Sequence, residues 1–214
     1  MKRAVVKLGG STAQEAERAV WVAALASSRL PLIVVPGGGP FANLVRATQE
    51  GMGFSDTAAH AMAILAMDQF GHVVLDCDSR FAPAHTLADI ERLLGEDRVP
   101  VWLPSRLALA APDIEASWEI TSDALAAWLA GRVGADGLLL IKQSRDFSAC
   151  DDIASLRTKG ILDAAFARML PETVEFRLAS PEDAASATAL LAEGRLPGVC
   201  VVGESERVGR GGRS

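Results

Sequence analysis

The sequence predicts an α/β fold, a three-layer α/β/α sandwich built on a mostly parallel central sheet. Three observations predict it. Short β-rich runs alternate with helical patterns along most of the chain, several apolar runs are continuous rather than alternating, and two of them end in glycine clusters that lead into helices. Continuous apolar runs suit strands covered on both faces, as in parallel sheets whose crossovers are helices. Residues 1–203 are expected to form one domain, because no break in composition divides the 214-residue chain.

Strands are expected at residues 4–8, 32–35, 99–103, 137–142, 173–178 and 199–202, with a further one near 72–75. The alanine- and methionine-rich stretch 55–70 reads as a long helix. Thr121 stands as the cap of a helix over 122–133 that carries Leu125, Leu129 and Val133 on one stripe. Ser180, Pro181, Glu182 and Asp183 supply the N-cap, first-turn proline and acidic first turn of another helix, which Gly194 stops. Between the strands at 173–178 and 199–202 that helix makes a strand–helix–strand unit, for which a right-handed parallel crossover is expected. Disorder is expected in the tail, 204–214, which is rich in glycine, serine and arginine.

Composition bounds the class of function. With 50% hydrophobic and 22% charged residues the chain is globular rather than disordered. The apolar stretch 20–45 is broken by Arg29, Pro31, Pro36 and three glycines, so it falls short of the roughly 20 uninterrupted residues of a membrane span. The N-terminus lacks the long apolar region and cleavage site of a signal peptide, and a cytoplasmic protein with no membrane partner is expected. Cys77, Cys150 and Cys200 form no CxxC pair and are expected as buried, reduced thiols. A net charge of −6 argues against nucleic acid as a partner, so an anionic substrate would need a local cluster of lysines and backbone N–H groups.

Two segments carry that chemistry. The first strand ends in Lys7-Leu8-Gly9-Gly10-Ser11 and the second in Pro36-Gly37-Gly38-Gly39-Pro40-Phe41-Ala42-Asn43, each before a helix. Glycines at the carboxyl end of a parallel strand let the backbone approach an anion, and a following helix offers free N–H groups to phosphate. Lys7 lies within reach of such an anion. Two loops of this kind suggest two phosphate groups facing each other. The chain has no GxxxxGK[ST] loop, and no GxGxxG follows its first strand, which disfavours the two commoner phosphate-binding designs.

These segments, together with Thr121-Ser122-Asp123 and the run through Lys142, resemble in order the signature of the amino-acid-kinase superfamily, which includes acetylglutamate, aspartate, carbamate, uridylate and isopentenyl phosphate kinases. The resemblance spans residues 5 to about 166. The shortness of the chain and the wording WEITSDALAAWLAG are most similar to the 5-(aminomethyl)-3-furanmethanol phosphate kinases of methanofuran biosynthesis, a branch of one-carbon metabolism. The resemblance implies an ATP-dependent kinase acting on a small, already phosphorylated acceptor. It implies Lys7 at the transferring phosphoryl group, Gly9, Gly10 and Ser11 at the ATP phosphates, and Gly37, Gly38 and Gly39 at the acceptor, beside Asn43 and Ser122. It further implies that Asp123 orients the catalytic lysines. Mg²⁺ is expected to arrive with ATP and to keep water and phosphate ligands rather than a protein cage, so no residue is assigned to metal.

One departure stands out. Many members have a second catalytic lysine soon after a GGM-type turn, whereas Gly160 here is followed by Ile161, Leu162, Asp163 and Ala164. Either Lys142 or Lys159 would then supply the second positive charge. Lys142 is the preferred catalytic choice, with Lys159 at the cofactor. The missing lysine leaves open a regulatory protein that binds nucleotide without catalysis. A uridylate- or isopentenyl-phosphate-type kinase is the alternative within the superfamily. Asp151 and Asp152 read as caps of the next helix, His60 as a packed or solvated histidine, and Trp118 as a core or interface residue that would alternatively wall an aromatic acceptor. A homo-oligomer, most simply a dimer formed through the apolar surface of 55–70, is expected.

Overall fold

The computed structural model describes residues 2–14 and 17–201. In chain order the elements are β1 (Ala4–Leu8), a 3₁₀ turn (Gly10–Gln14), α1 (Glu17–Ala26), β2 (Leu32–Pro36), α2 (Gly39–Met52), α3 (Asp56–Leu75), β3 (Phe81–Ala84), α4 (Leu87–Gly95), β4 (Val99–Trp102), α5 (Ser105–Ala108), α6 (Ser122–Arg132), β5 (Gly137–Ile141), α7 (Ile153–Thr158), α8 (Phe166–Met169), β6 (Glu175–Ala179), a second 3₁₀ turn (Pro181–Asp183), α9 (Ala184–Ala192) and β7 (Val199–Cys200). The strands form one sheet in the order β3-β4-β2-β1-β5-β6-β7, parallel throughout except for β7.

Strands β1, β2 and β5 are buried along their whole length because both faces are covered. Val5, Ile33, Val35, Leu138 and Leu140 join one hydrophobic cluster with α6, whereas Val6, Leu32, Val34, Leu139 and Ile141 join a second with α1 and α9. The alternation of side chains along a strand thus feeds two cores, as a three-layer sandwich requires.

Helix α3 is 20 residues long and apolar enough to match a membrane span by length and composition. It packs along the sheet through Ile64 and Met67 in the first cluster and Phe70 and Val74 in the second. The strand expected at 72–75 is the last turn of this helix. At Gly71 the helix passes so close to the sheet that a Cβ would sit 2.4 Å from Leu103 Cδ2, and this packing carries the helix on through two valines.

The expected parallel crossover into the last strand is replaced by an antiparallel edge. Residues Arg177 and Leu178 pair with Cys200 and Val199, so β7 enters beside the carboxyl end of β6 and runs backwards. Gly198 makes the turn with φ +79°, and a Cβ there would lie 2.1 Å from the Leu178 carbonyl oxygen. Arg177 Nε donates to the Pro197 carbonyl at 3.1 Å and its guanidinium also reaches the Gly198 carbonyl, which holds the reversed strand. The cysteines also differ from expectation, since all three are exposed. Cys77 follows the end of α3, Cys150 precedes α7 in a loop, and Cys200 lies on the edge strand, none of them facing the sheet core. The tail at 204–214 and the expected strand end at Val202 lie outside the described residues.

Candidate active site

The sheet order places β2, β1 and β5 side by side, with Leu8 level with Pro36 on one side and Ile141 on the other. The chain leaves β1 for β2 in one direction and returns on its other side as β5, so the carboxyl end of β1 is a switch point of the kind where open α/β sheets bind ligands. Both glycine loops emerge there, on adjacent strands. They interlock backbone to backbone: a Cβ on Gly10 would lie 2.3 Å from the Gly39 nitrogen, and one on Gly37 would lie 2.3 Å from the Gly10 nitrogen. Gly9 is equally confined, its Cβ position being 2.5 Å from the Ile141 carbonyl oxygen. Gly39 takes φ +55° and opens α2, with Pro40 in its first turn.

Beneath the loops lies a buried charge cluster. Lys7 Nζ lies 2.7 Å from Asp123 Oδ1 as an ion pair, off the angle of a hydrogen bond, while Lys142 Nζ donates to Asp123 Oδ2. The side chains of Lys7 and Asp123 are 6% and 5% exposed and that of Lys142 is 16% exposed. Asp123 stands in the first turn of α6, where a helix N-terminus favours a negative charge. Burial pushes its carboxyl up, and the Lys7 and Lys142 ammoniums outweigh burial and hold it down to about 2. Burial lowers the Lys7 ammonium, Asp123 opposes this, and Lys142 adds to it. Two ammoniums share the one Asp123 carboxylate, an arrangement suited to receiving a bound anion.

The cluster adjoins a pocket of about 230 Å³ lined by Gly10, Ser11, Gly38, Gly39, Asn43 and Ser122. Its other walls come from residues the loop motifs did not single out, including Arg46 on α2, Ile64 and Met67 on α3, and Ile120, Thr121 and Leu125 about the start of α6. Trp118 lines it too, with the Arg46 guanidinium 4.5 Å above its ring. The indole Nε1 donates to Gln49 Oε1 at 2.8 Å, and Gln49 Nε2 donates to Asp56 at 2.7 Å, so the wall is tied to both α2 and α3. His60 is buried in the same lining, its Nδ1 3.1 Å from the Ser117 carbonyl oxygen, and burial lowers its imidazolium.

Lys159 lies elsewhere. It pairs with Asp151 at 2.7 Å beside Arg145, Phe147 and Ser148 in the recess beyond β5, away from the Lys7–Asp123–Lys142 cluster. Asp152 caps α7 by accepting the Ser155 amide at 2.9 Å. Thr121 sits at the N-cap of α6, yet its hydroxyl donates at 2.8 Å to Asp163, a residue that sequence reasoning missed. No local signal marks Asp163, because its partners lie about forty residues earlier in the chain.

Residues 2–151 match the model of the amino acid kinase family. A curated relative, the (5-(aminomethyl)furan-3-yl)methyl phosphate kinase of Methanocaldococcus jannaschii, is 33% identical over 129 residues, which are 58% of this chain and 58% of that protein. The chain thus matches a little over half the length of this relative. Among solved structures, uridylate kinase from Archaeoglobus fulgidus superposes with a TM-score of 0.67 at 20% identity, covering 94% of this chain and 100% of that one. UMP kinase from Ureaplasma parvum also gives a TM-score of 0.67, at 14% identity, covering 94% and 98%. At these identities the likeness to solved structures is one of fold.

Proposed function

The chain belongs to the amino acid kinase family, and from that premise we propose that it moves the γ-phosphoryl group of ATP onto a small acceptor that already carries a phosphate. The first choice of acceptor is (5-(aminomethyl)furan-3-yl)methyl phosphate, the compound named in the methanococcal relative. The observation that carries the reading is the buried Lys7–Asp123–Lys142 cluster under two interlocked glycine loops.

In the proposed reaction an oxygen of the acceptor phosphate attacks the γ-phosphorus, the bond from that phosphorus to the β–γ bridging oxygen breaks, and ADP leaves. Such a transfer needs positioning and positive charge more than covalent help. Lys7 and Lys142 supply the charge at the equatorial oxygens, and Asp123 keeps both ammoniums aimed at the same point. Lys142 thereby takes the part of the lysine missing after Gly160, which weakens the reading as a non-catalytic binder. Gly9, Gly10 and Ser11 hold the ATP phosphates, and Lys159 lies in the recess beyond β5 where the rest of the nucleotide would extend. Mg²⁺ would arrive with ATP, carried by its phosphates and water and sharing their negative charge.

Gly37, Gly38 and Gly39 receive the acceptor phosphate, and its body enters the pocket past Asn43 and Ser122 to lie against Trp118. We place the reaction in the cytoplasm and expect a homodimer. Leu44 and Met52 on α2 and Met62 and Leu65 on α3 are exposed apolar residues available for that contact.

An assay of ADP formation over a panel of monophosphates tests the reading. Saturable transfer to the furan phosphate supports the first choice, and preference for UMP or isopentenyl phosphate would move the protein to the alternative. Nucleotide binding without transfer to any acceptor would return it to a regulatory binder.

A further inference from the structure

Asp163 is half-buried at the edge of the charge cluster, and the cluster's mechanism does not use it. Its Oδ2 accepts three hydrogen bonds from the start of α6: the Thr121 amide at 3.1 Å, the Thr121 hydroxyl at 2.8 Å and the Ala124 amide at 3.0 Å. A helix N-terminus leaves such amides without intrahelical partners, and the residue just before the helix usually accepts one of them. Here the acceptor comes from a distant segment, and Thr121 turns its own hydroxyl into a donor.

Asp123 lies between the two residues that Asp163 holds. The same segment reaches Lys142 directly, because the Ile161 carbonyl accepts from Lys142 Nζ at 2.6 Å. The Ala165 amide adds a bond to the Glu119 carbonyl at 3.3 Å. Residues 161–165 therefore grip the shared carboxylate's helix and one of its two lysines together. Asp163 Oδ1 is buried with no hydrogen-bond partner among the described residues, and burial, then the Asp123 charge, raise the Asp163 carboxyl. An acidic group is held there against an unfavourable setting.

We propose that Asp163 is a positioning residue for phosphoryl transfer, capping α6 from across the site so that Asp123 stays between Lys7 and Lys142. The inference rests on the transfer reaction proposed above. A misplacement of about 1 Å at a reacting centre costs on the order of 10²-fold in rate, which makes the cap visible in turnover.

Two variants separate positioning from simple stability. Asp163→Ala removes all three bonds, whereas Asp163→Asn keeps a side-chain oxygen able to accept them. Below its melting temperature Asp163→Ala is expected to lose about 10- to 100-fold in kcat with the KM for ATP changed by less than about 3-fold, and Asp163→Asn to recover most of the loss. Amide hydrogen exchange at Ala124 is expected to quicken in the alanine variant by about 10-fold and to return near the parental rate in the asparagine variant. Parental kcat in folded Asp163→Ala would overturn the proposal, as would an asparagine variant no better than alanine. If Asp163→Ala fails to fold, Thr121→Val, which removes one donor, carries the test, and parental kcat in that variant would equally overturn it. A parent protein that transfers no phosphoryl group would mean that the kinase reading has failed. The exchange rates would then decide by themselves whether Asp163 holds the Asp123 helix.

Discussion

Replacing Asp123 with asparagine preserves the shape of the side chain and removes the one negative charge that Lys7 and Lys142 share. The fall of the carboxyl from 3.8 to about 2 corresponds to about 2 kcal/mol of folding stability at neutral pH. Because the folded value is depressed, that contribution is present above the unfolded value of 3.8 and is lost as pH falls toward about 2. Asp123→Asn should therefore unfold about 2 kcal/mol more easily than the parent at pH 7, with the gap closing below pH 4. Urea unfolding at a series of pH values measures the gap, and other carboxylates cancel in the difference between the two proteins. The same change leaves two ammoniums buried without their counter-ion, so kcat should fall about 10²- to 10³-fold. Equal stability at pH 7, or a gap that widens on acidification, would refute the reasoning.

Three further outcomes are expected. Lys142→Ala should lower kcat by about 10²-fold or more and Lys159→Ala by less than about 10-fold, and steady-state kinetics that reversed this order would reassign the second charge to Lys159. Trp118→Ala should raise the KM for the acceptor by about 10-fold while leaving kcat within about 3-fold, as loss of a wall that binds ground and transition states alike; an unchanged KM would take Trp118 out of the acceptor site. Light scattering at micromolar concentration should return a dimer that Leu65→Glu dissociates, and a monomeric parent would contradict the apolar interface on α2 and α3.

Much of this arrangement was legible in the sequence because it rests on local chemistry. Strands β2, β4 and β5 coincide with continuous apolar runs to within a residue or so, and β1 with a run broken only by Lys7, since burial on both faces leaves little room for polar residues. The glycine loops were legible because close backbone contact excludes side chains. Other parts depend on partners far away in the chain. Phe81–Ala84 is a four-residue edge strand containing a proline, too short for a pattern, and it forms because β4 lies beside it. The direction of β7 is set by Gly198 against Leu178, and nothing in the run 199–202 encodes it. Lys7 reads as a lysine within reach of an anion, but the structure also buries it on Asp123, a residue more than a hundred positions later. Asp163 shows the same limit: its acceptor role exists only once residues 119–124 and 161–165 are brought together.

The most direct test of the central claim is single-turnover transfer from γ-labelled ATP to the phosphorylated acceptor, comparing the parent with a folded Lys7→Ala variant. The account predicts that label appears on the acceptor in the parent, and that Lys7→Ala transfers it about 10²- to 10³-fold more slowly while binding ATP nearly as well. Parental transfer by Lys7→Ala would contradict the assignment of the Lys7–Asp123–Lys142 cluster as the place where the phosphoryl group moves.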